Sequence, residues 1–279
     1  MAVTYYASSH LKVIDEKYFT KAVTNDIINK GIKLDFQGKN AVTIYSRNTV
    51  AENDYIRAGS NRFGELVEIG NQTQTFVLSQ DKAWTFSVDR GNYDDSMMAI
   101  EVAGQIKAQV REVAVPTTDK YRLATLQAYA VANSQVATAA LSITNIYEKF
   151  LDQTAALVEA EVTDANLHAY MSQATFNLLR RCEEVKGTVS DAAYGDIKSG
   201  KVFDIDGVKI HVVPSNYLPA NTGFLVVADN VLVAPTKFDM IRTLDEVQGI
   251  DGWVAEGRRY YDAFVPKNKG KAIRAHMTA

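Results

Sequence analysis

The stretch from residue 38 to residue 92 has strand patterns at both ends and a middle that cannot form a core. Residues 41–45 open it, and residues 84–88 close it with apolar side chains at alternate positions. Between them, residues 51–65 are polar and contain glycine and a few isolated large apolar residues. A compact domain rarely contains so long a connection without its own structure, and a lone two-stranded ribbon is marginal in water. We therefore predict a long arm that another copy of the chain supports.

Composition places the rest of the chain among ordinary folded proteins. Its 279 residues suffice for one large domain or two small ones, and 47% hydrophobic content allows a sizeable core. A net charge of −3 excludes a global basic field for nucleic acid, and a single Cys excludes an intrachain disulfide. The first residues lack a signal-peptide pattern, and no apolar run approaches the ~20 residues of a membrane span.

The clearest helix is predicted after residue 93. Asp94 and Asp95 are expected to cap its N-terminus, and Pro116 to end it. Residues 117–119 can cap the next helix. Spacings of four and three residues predict one continuous apolar stripe. The stripe consists of Ala99, Ala103, Ile106, Val110 and Val113.

The remaining elements place sheets and helices in separate parts of the chain, which indicates the α+β class. Asp206-Gly207 between two apolar runs predicts a β-hairpin. The other predicted elements are a short helix over 18–29, an inner helix side of Leu123, Leu126, Ala130 and Val131, a hinge over 132–140, helices from 144 and over 174–185, a β pair over 224–233, and two or three strands over 240–276.

The motifs that carry catalysis or ligand binding are incomplete. Residues 195–202 nearly match a phosphate-binding P-loop, but Val202 stands where the motif needs a magnesium-binding Ser or Thr. No two His have a metal-motif spacing, and alternation predicts that His211 is a solvated strand residue. Cys182 lies on an apolar helix side, which favours a buried inert thiol. We predict no catalytic, cofactor or metal site.

Two groups of basic residues admit two interpretations. One group is Arg258 and Arg259, and the other is Lys267, Lys269, Lys271 and Arg274. The simpler interpretation is a solvated edge strand that charge protects from further pairing. The alternative is contact with phosphate or with acidic residues of a neighbouring subunit.

The order of these elements, together with four stretches, resembles a known family. The stretches are residues 86–95, 115–122, 208–219 and 252–265, the last containing Tyr260-Tyr261-Asp262-Ala263-Phe264. They are similar to the major capsid proteins of tailed double-stranded-DNA bacteriophages, which have the Hong Kong 97-type fold. The resemblance extends over nearly the whole chain and lies in element order rather than in an active-site motif.

The resemblance implies a division of the chain. Its parts would be an N-terminal arm (1–37), an extended loop or long β-hairpin (38–92), a peripheral domain with the spine helix (93–135), an axial domain (136–235) and a return to the peripheral domain (236–279). The extended loop would lie across a neighbouring subunit. The residues expected in that contact are Tyr55, Arg57, Arg62, Phe63 and Glu65.

The implied function is mechanical. Identical subunits would form the pentamers and hexamers of an icosahedral shell around packaged DNA, in the virion, after assembly in the bacterial host cytoplasm. Because the family-like pattern begins within the first forty residues, scaffolding would come from a separate chain, and a portal protein would be a further partner. DNA contact would be weak and non-specific. Open alternatives are an encapsulin-like nanocompartment, a small-molecule enzyme and a monomeric adhesin or binding module, of which the last leaves the arm unexplained.

Overall fold

The computed structural model describes residues 22–32, 34–37, 40–95, 102–163, 165–182, 203–245 and 247–278, which contain helices and three sheets. The helices are α1 (Arg90–Asp95), α2 (Val102–Gln109), α3 (Val115–Ala132), α4 (Ile146–Glu159) and α5 (Gln173–Arg181). The strands are β1 (Asp35–Gln37), β2 (Ala41–Arg47), β3 (Asn71–Val77), β4 (Gln80–Asp89), β5 (Val136–Thr138), β6 (Leu167–Ser172), β7 (Phe203–Ile205), β8 (Val208–Val213), β9 (Thr222–Ala228), β10 (Thr236–Asp245), β11 (Gly252–Tyr261) and β12 (Ile273–Met277).

The strand patterns at the two ends of residues 38–92 belong to different sheets. Strand β2 pairs antiparallel with β3, in the order β1-β2-β3, and the chain between them is the long loop. Strand β4, which contains residues 84–88, instead pairs with β11 in the sheet β10-β11-β4. The prediction that residues 41–45 and 84–88 close one hairpin is therefore wrong. The hairpin ends at Val77, ahead of β4.

The largest sheet has six strands in the order β5-β12-β9-β6-β8-β7. The predicted hairpin is confirmed, because β7 and β8 pair antiparallel and both turn residues, Asp206 and Gly207, have positive φ. Residues 136–138 form a strand beside β12 rather than a hinge. Residues 224–233 do not form a β pair, since β9 ends at Ala228 and Leu232 and Val233 make isolated bridges elsewhere.

Pro116 does not end a helix. The chain runs from α2 through a π-helical turn (Val110–Ala114) into α3, where Pro116 occupies the first turn. Proline has no N–H to give, so it fits where hydrogen bonding already departs from the α pattern. Thr117 and Thr118 donate their hydroxyls to the carbonyls of Val113 and Ala114, so they do not cap a new helix.

The predicted helix start and apolar stripe are also corrected. Asp94 and Asp95 lie within α1 rather than at an N-cap, and residue 99 lies outside the described residues. In α2 no residue is buried, and Val113 is exposed. Further along, Leu123, Leu126 and Ala130 of α3 are buried as predicted, but Val131 is exposed.

The core lies on both faces of the six-stranded sheet. One face packs against α3 and the segment around Ile27. The opposite face packs against α4 and α5, where Cys182 is buried as predicted. The six-stranded sheet also contains β12, so the C-terminal strand pairs with strands from the central part of the chain. The division into peripheral and axial domains stays a prediction.

The N-terminal segment is held by a buried carboxylate. Residues 22–29 contain no helix, so the helix predicted over 18–29 is wrong in its described part. Asp119, 1% exposed, accepts hydrogen bonds from the Val23 N–H and the Thr24 hydroxyl. Asp119 therefore holds this segment against α3 and does not cap a helix as predicted. Arg122 donates to Thr24 and pairs with Asp119 at 3.8 Å, which supplies the compensating charge.

Candidate assembly interface

The loop between β2 and β3 projects large apolar side chains into solvent. Seven pairs of residues align the two strands, from Ala41 and Val77 to Arg47 and Asn71, so the loop leaves a paired base. Phe63 is 84% exposed and Leu66 103% exposed. The other exposed apolar side chains of the loop are Val50, Tyr55, Ile56, Val67 and Ile69. Exposed apolar side chains this close together mark a surface that binds another molecule.

Three of the five residues predicted to contact a neighbour lie together at the tip of the loop. The rings of Tyr55 and Phe63 meet edge to face with centroids 5.0 Å apart. Arg62 closes the turn, because its carbonyl accepts from the Ile56 N–H at 3.0 Å and its Nε donates to the Gly59 carbonyl at 3.3 Å. The tip is thus ordered by its own contacts while its aromatic edge stays exposed.

The two remaining predicted residues, Arg57 and Glu65, are exposed and flank this tip. No hydrogen bond or ion pair within the described residues engages either of them. The loop from residue 48 to residue 70 contains four acidic residues and two basic ones, so its net charge is −2. It therefore presents an apolar stripe on an acidic background. That these five residues contact a neighbour stays a prediction.

One group of basic residues lines an open cavity at the base of the loop. Lys267, Lys269 and Lys271 extend from a 3₁₀ helix (Lys267–Ala272) and share a cavity of about 890 Å³ with Arg47 at the end of β2. We call this cavity the basic groove. Its lining also includes Glu161 and Asp229, which leaves two net positive charges from four basic and two acidic residues.

The edge-strand interpretation of the basic residues is wrong. The three lysines lie on a 3₁₀ helix, and Arg258 and Arg259 lie on β11, the central strand of its sheet. Arg258 makes a two-pronged ion pair with exposed Asp81, and Arg259 donates to the Ala114 carbonyl. The three groove lysines are exposed, as is Arg258 with its acidic partner.

Sequence reasoning missed a cluster of two His and one Asp. His211 is 9% exposed rather than solvated, and its Nε2 lies 2.9 Å from Nδ1 of His168, which is 2% exposed. Burial lowers the pKa of both imidazoles, and His168 further lowers the pKa of His211, to about 4. The two His are 43 residues apart, so no local motif reveals them. The sequence could have revealed this pair only through a prediction that the two strands carrying His168 and His211 are neighbours in the sheet.

The P-loop-like residues 195–202 lie outside the described residues. Among the helices that are described, none combines the length and the apolar character that crossing a bilayer requires.

Several solved structures with the same fold come from bacteriophages. A structure from Mycobacterium phage Che8 has 17% identity and a TM-score of 0.65, covering 99% of this chain and 98% of that one. The capsid structure of cyanophage P-SCSP1u has 10% identity and a TM-score of 0.75, with 98% and 93% coverage. The mature capsid of bacteriophage PhiM1 has 12% identity and a TM-score of 0.66, with 100% and 97% coverage.

No family model matches the chain, and the curated proteins contain no sequence match. The structural similarities nevertheless extend over almost the entire length of both partners. The chain therefore has the Hong Kong 97-type fold of phage capsid proteins, as its element order predicts. The predicted fold class is confirmed.

Proposed function

We propose that this protein is the major capsid protein of a tailed bacteriophage and that its role is structural, not catalytic. The observation that carries the proposal is the loop of residues 48–70, whose apolar side chains have no core in their own subunit. A subunit with the capsid fold and an unsupported apolar loop gains stability when a neighbour covers that loop. Many copies would then close into an icosahedral shell, in which modest contacts add through multivalency.

The loop and the basic groove are complementary surfaces. The loop carries a net charge of −2, and the lining of the groove carries a net charge of +2. Acidic residues of one loop, such as Glu65, could thus approach the groove lysines of a neighbour while Tyr55 and Phe63 cover apolar surface. Charge pairs at the rim set the register, and the aromatic residues supply most of the affinity.

The finer parts of the proposal concern partners and location. Separate scaffolding and portal proteins would direct assembly in the host cytoplasm, and the shell would become part of the virion. Packaged double-stranded DNA would be contacted weakly and without sequence preference, because the net charge of the chain is −3. The groove lysines are too few to reverse that balance.

Assembly of the purified full-length protein tests the proposal. Size-exclusion chromatography with light scattering, followed by electron microscopy, should find capsomers, shells or tubes. The double variant Phe63→Ser/Leu66→Ser should remain folded and lose assembly. Val158→Ser, which changes an exposed apolar residue on α4, is the matched control and should assemble normally.

Two outcomes would contradict the proposal. The first is a folded 30.8 kDa monomer across the micromolar range, which would remove self-assembly. The second is a shell that, when made during phage infection, contains cargo protein and no nuclease-protected DNA. That second result would favour a nanocompartment.

A further inference from the structure

His168 and His211 lie on the same face of the six-stranded sheet. Strands β6 and β8 are parallel, and Tyr170 is opposite His211 in their register, while His168 is opposite Lys209. Because side chains alternate along a strand, His168 and Tyr170 share the face toward which His211 points. The Tyr170 hydroxyl donates to the Val23 carbonyl at 3.1 Å, so the N-terminal segment crosses over this face.

That segment brings a carboxylate to the two imidazoles. Ligand atoms of Asp26, His168 and His211 all lie within 4.8 Å of one another. Two His and one carboxylate are a donor set that divalent first-row metals, zinc above all, accept in proteins. We propose that Asp26, His168 and His211 bind a divalent transition-metal ion of the zinc type, which fastens the N-terminal segment to the sheet.

Each imidazole must present a lone pair to a metal ion. A neutral ring has one lone pair, and in the hydrogen bond between Nδ1 of His168 and Nε2 of His211 one of the two facing nitrogens carries a proton. That ring shifts its proton to its other nitrogen when the metal binds. Asp26 is exposed, and among the described residues no hydrogen bond or ion pair engages its carboxylate. The carboxylate therefore supplies both an open approach and a negative charge.

The separation of the two nitrogens requires only a small adjustment. Nδ1 of His168 and Nε2 of His211 are 2.9 Å apart, as in a hydrogen bond. Two nitrogens on a tetrahedral zinc at ordinary bond lengths are about 3.4 Å apart. A small rotation of either ring, which moves its nitrogen by a fraction of an ångström, brings the two nitrogens to this separation. Three protein ligands leave one coordination position for water.

Two charges near the site act on the His in opposite directions. Asp229 favours positive charge at His168, whereas Lys209 disfavours it at both His. Lys209 is exposed on β8 and lies opposite His168 in the register. It must therefore weaken binding of a divalent cation. Removing its charge should strengthen binding without touching a ligand.

Metal titration of the full-length protein tests the site. The protein is stripped with a chelator, dialysed against ZnCl₂, and its metal content is measured by atomic absorption. We expect one zinc per subunit at micromolar free zinc, a rise in melting temperature, and visible absorption bands with CoCl₂. MgCl₂ should not compete, because magnesium prefers oxygen ligands.

Matched variants separate the site from adventitious binding. Asp26→Asn should weaken zinc binding at least about tenfold, and His211→Asn at least about a hundredfold. Lys209→Gln should tighten it, and Asp204→Asn, an exposed carboxylate on β7 outside the cluster, should leave it unchanged. Asp26 and Lys209 are exposed, so their variants remain informative where a His variant does not fold.

The inference is overturned by absence of zinc binding up to millimolar concentration. It is also overturned by equal binding in wild type and Asp26→Asn, which would remove the carboxylate from the site. Binding that Asp204→Asn reduces as much as Asp26→Asn would show a diffuse surface effect instead. None of these results depends on whether the protein assembles.

Discussion

The Tyr121 hydroxyl donates a hydrogen bond to Oδ1 of Asp262 at 2.5 Å, joining α3 to the chain directly after β11. Asp262 is 3% exposed and also accepts from the backbone N–H groups of Ser79 and Ala263, each at 2.7 Å. Burial and this carboxylate raise the pKa of Tyr121, so its hydroxyl keeps its proton. Three donors thus converge on one buried carboxylate, which ties the chain directly after β3, at Ser79, to α3.

Removing that carboxylate should destabilise the subunit strongly. Asp262→Ala removes the acceptor of the buried Ala263 N–H, the part-buried Ser79 N–H and the Tyr121 hydroxyl, and we expect a loss of about 3 kcal/mol in the free energy of unfolding. Tyr121→Phe removes one donor to a charged group and should cost about 2 kcal/mol. Tyr45→Phe, at an exposed position of β2, is the control and should change nothing. Urea unfolding measures the stability of all three variants. Unfolding midpoints of Asp262→Ala and Tyr121→Phe equal to that of the wild type would refute the network.

His276 should make stability depend on pH. It is fully buried, stacks on Phe224 with centroids 4.9 Å apart, and neither ring nitrogen has a hydrogen-bond partner among the described residues. Burial, and then the charge of Lys149, lowers its pKa. The unfolded chain therefore takes up the proton more readily. Stability is full above about pH 6.5 and falls as the pH drops below that value, by at most about 1.4 kcal/mol per unit.

His276→Leu removes this titration with a side chain of similar volume. The unfolding free energy of the variant minus that of the wild type should therefore become more positive as the pH falls from 7 to 5. Measuring both proteins with a chelator present excludes metal effects at the other His. A difference that stays constant over this range would show that His276 does not titrate with folding.

The long loop should serve assembly and not subunit stability. Deleting residues 54–65 and joining the ends by a short turn removes only exposed or half-exposed residues, so the subunit should keep its melting temperature. Assembly should fail or give aberrant particles, because the aromatic tip is lost. Normal shells formed by the deletion variant would exclude this role.

Substitution of an apolar residue by Asp should have different effects in α2 and α3. The sequence pattern alone predicts that Ile106→Asp unfolds the protein, but Ile106 lies on a helix that buries no residue in the subunit. We therefore expect Ile106→Asp to stay folded. Leu126→Asp, at a fully buried position of α3, should cost several kcal/mol and give insoluble protein. Circular dichroism melts compare the two, and similar loss of both would indicate that α2 is buried.

Mature particles should contain no covalent cross-links through the loop. Between Arg47 and Asn71 the chain has Arg57 and Arg62 but no Lys. An arginine side chain stays protonated and cannot attack an amide, so an isopeptide bond cannot form there. Boiled particles should run as one band of 30.8 kDa on a denaturing gel. A ladder that survives reducing agent would locate a cross-linking lysine elsewhere.

The sequence by itself determined the features that depend on neighbouring residues. The Asp206-Gly207 turn, the inner side of α3 at Leu123 and Leu126, and the buried position of Cys182 follow from local periodicity and turn chemistry. The exposed loop follows from polar composition, since too few apolar residues exist there to form a core. Element order also sufficed to indicate the fold class.

Only the tertiary structure decided which strands pair and which side chains meet. Strand β2 pairs with β3 while β4 joins β11, a choice that depends on contacts between distant residues and not on the pattern of either strand. Pro116 continues a helix because a π-helical turn precedes it and packing supports it. His168 and His211 meet through the register of two parallel strands. Pairing and packing energies between distant segments override local propensity, and these energies are not written in any short stretch of sequence.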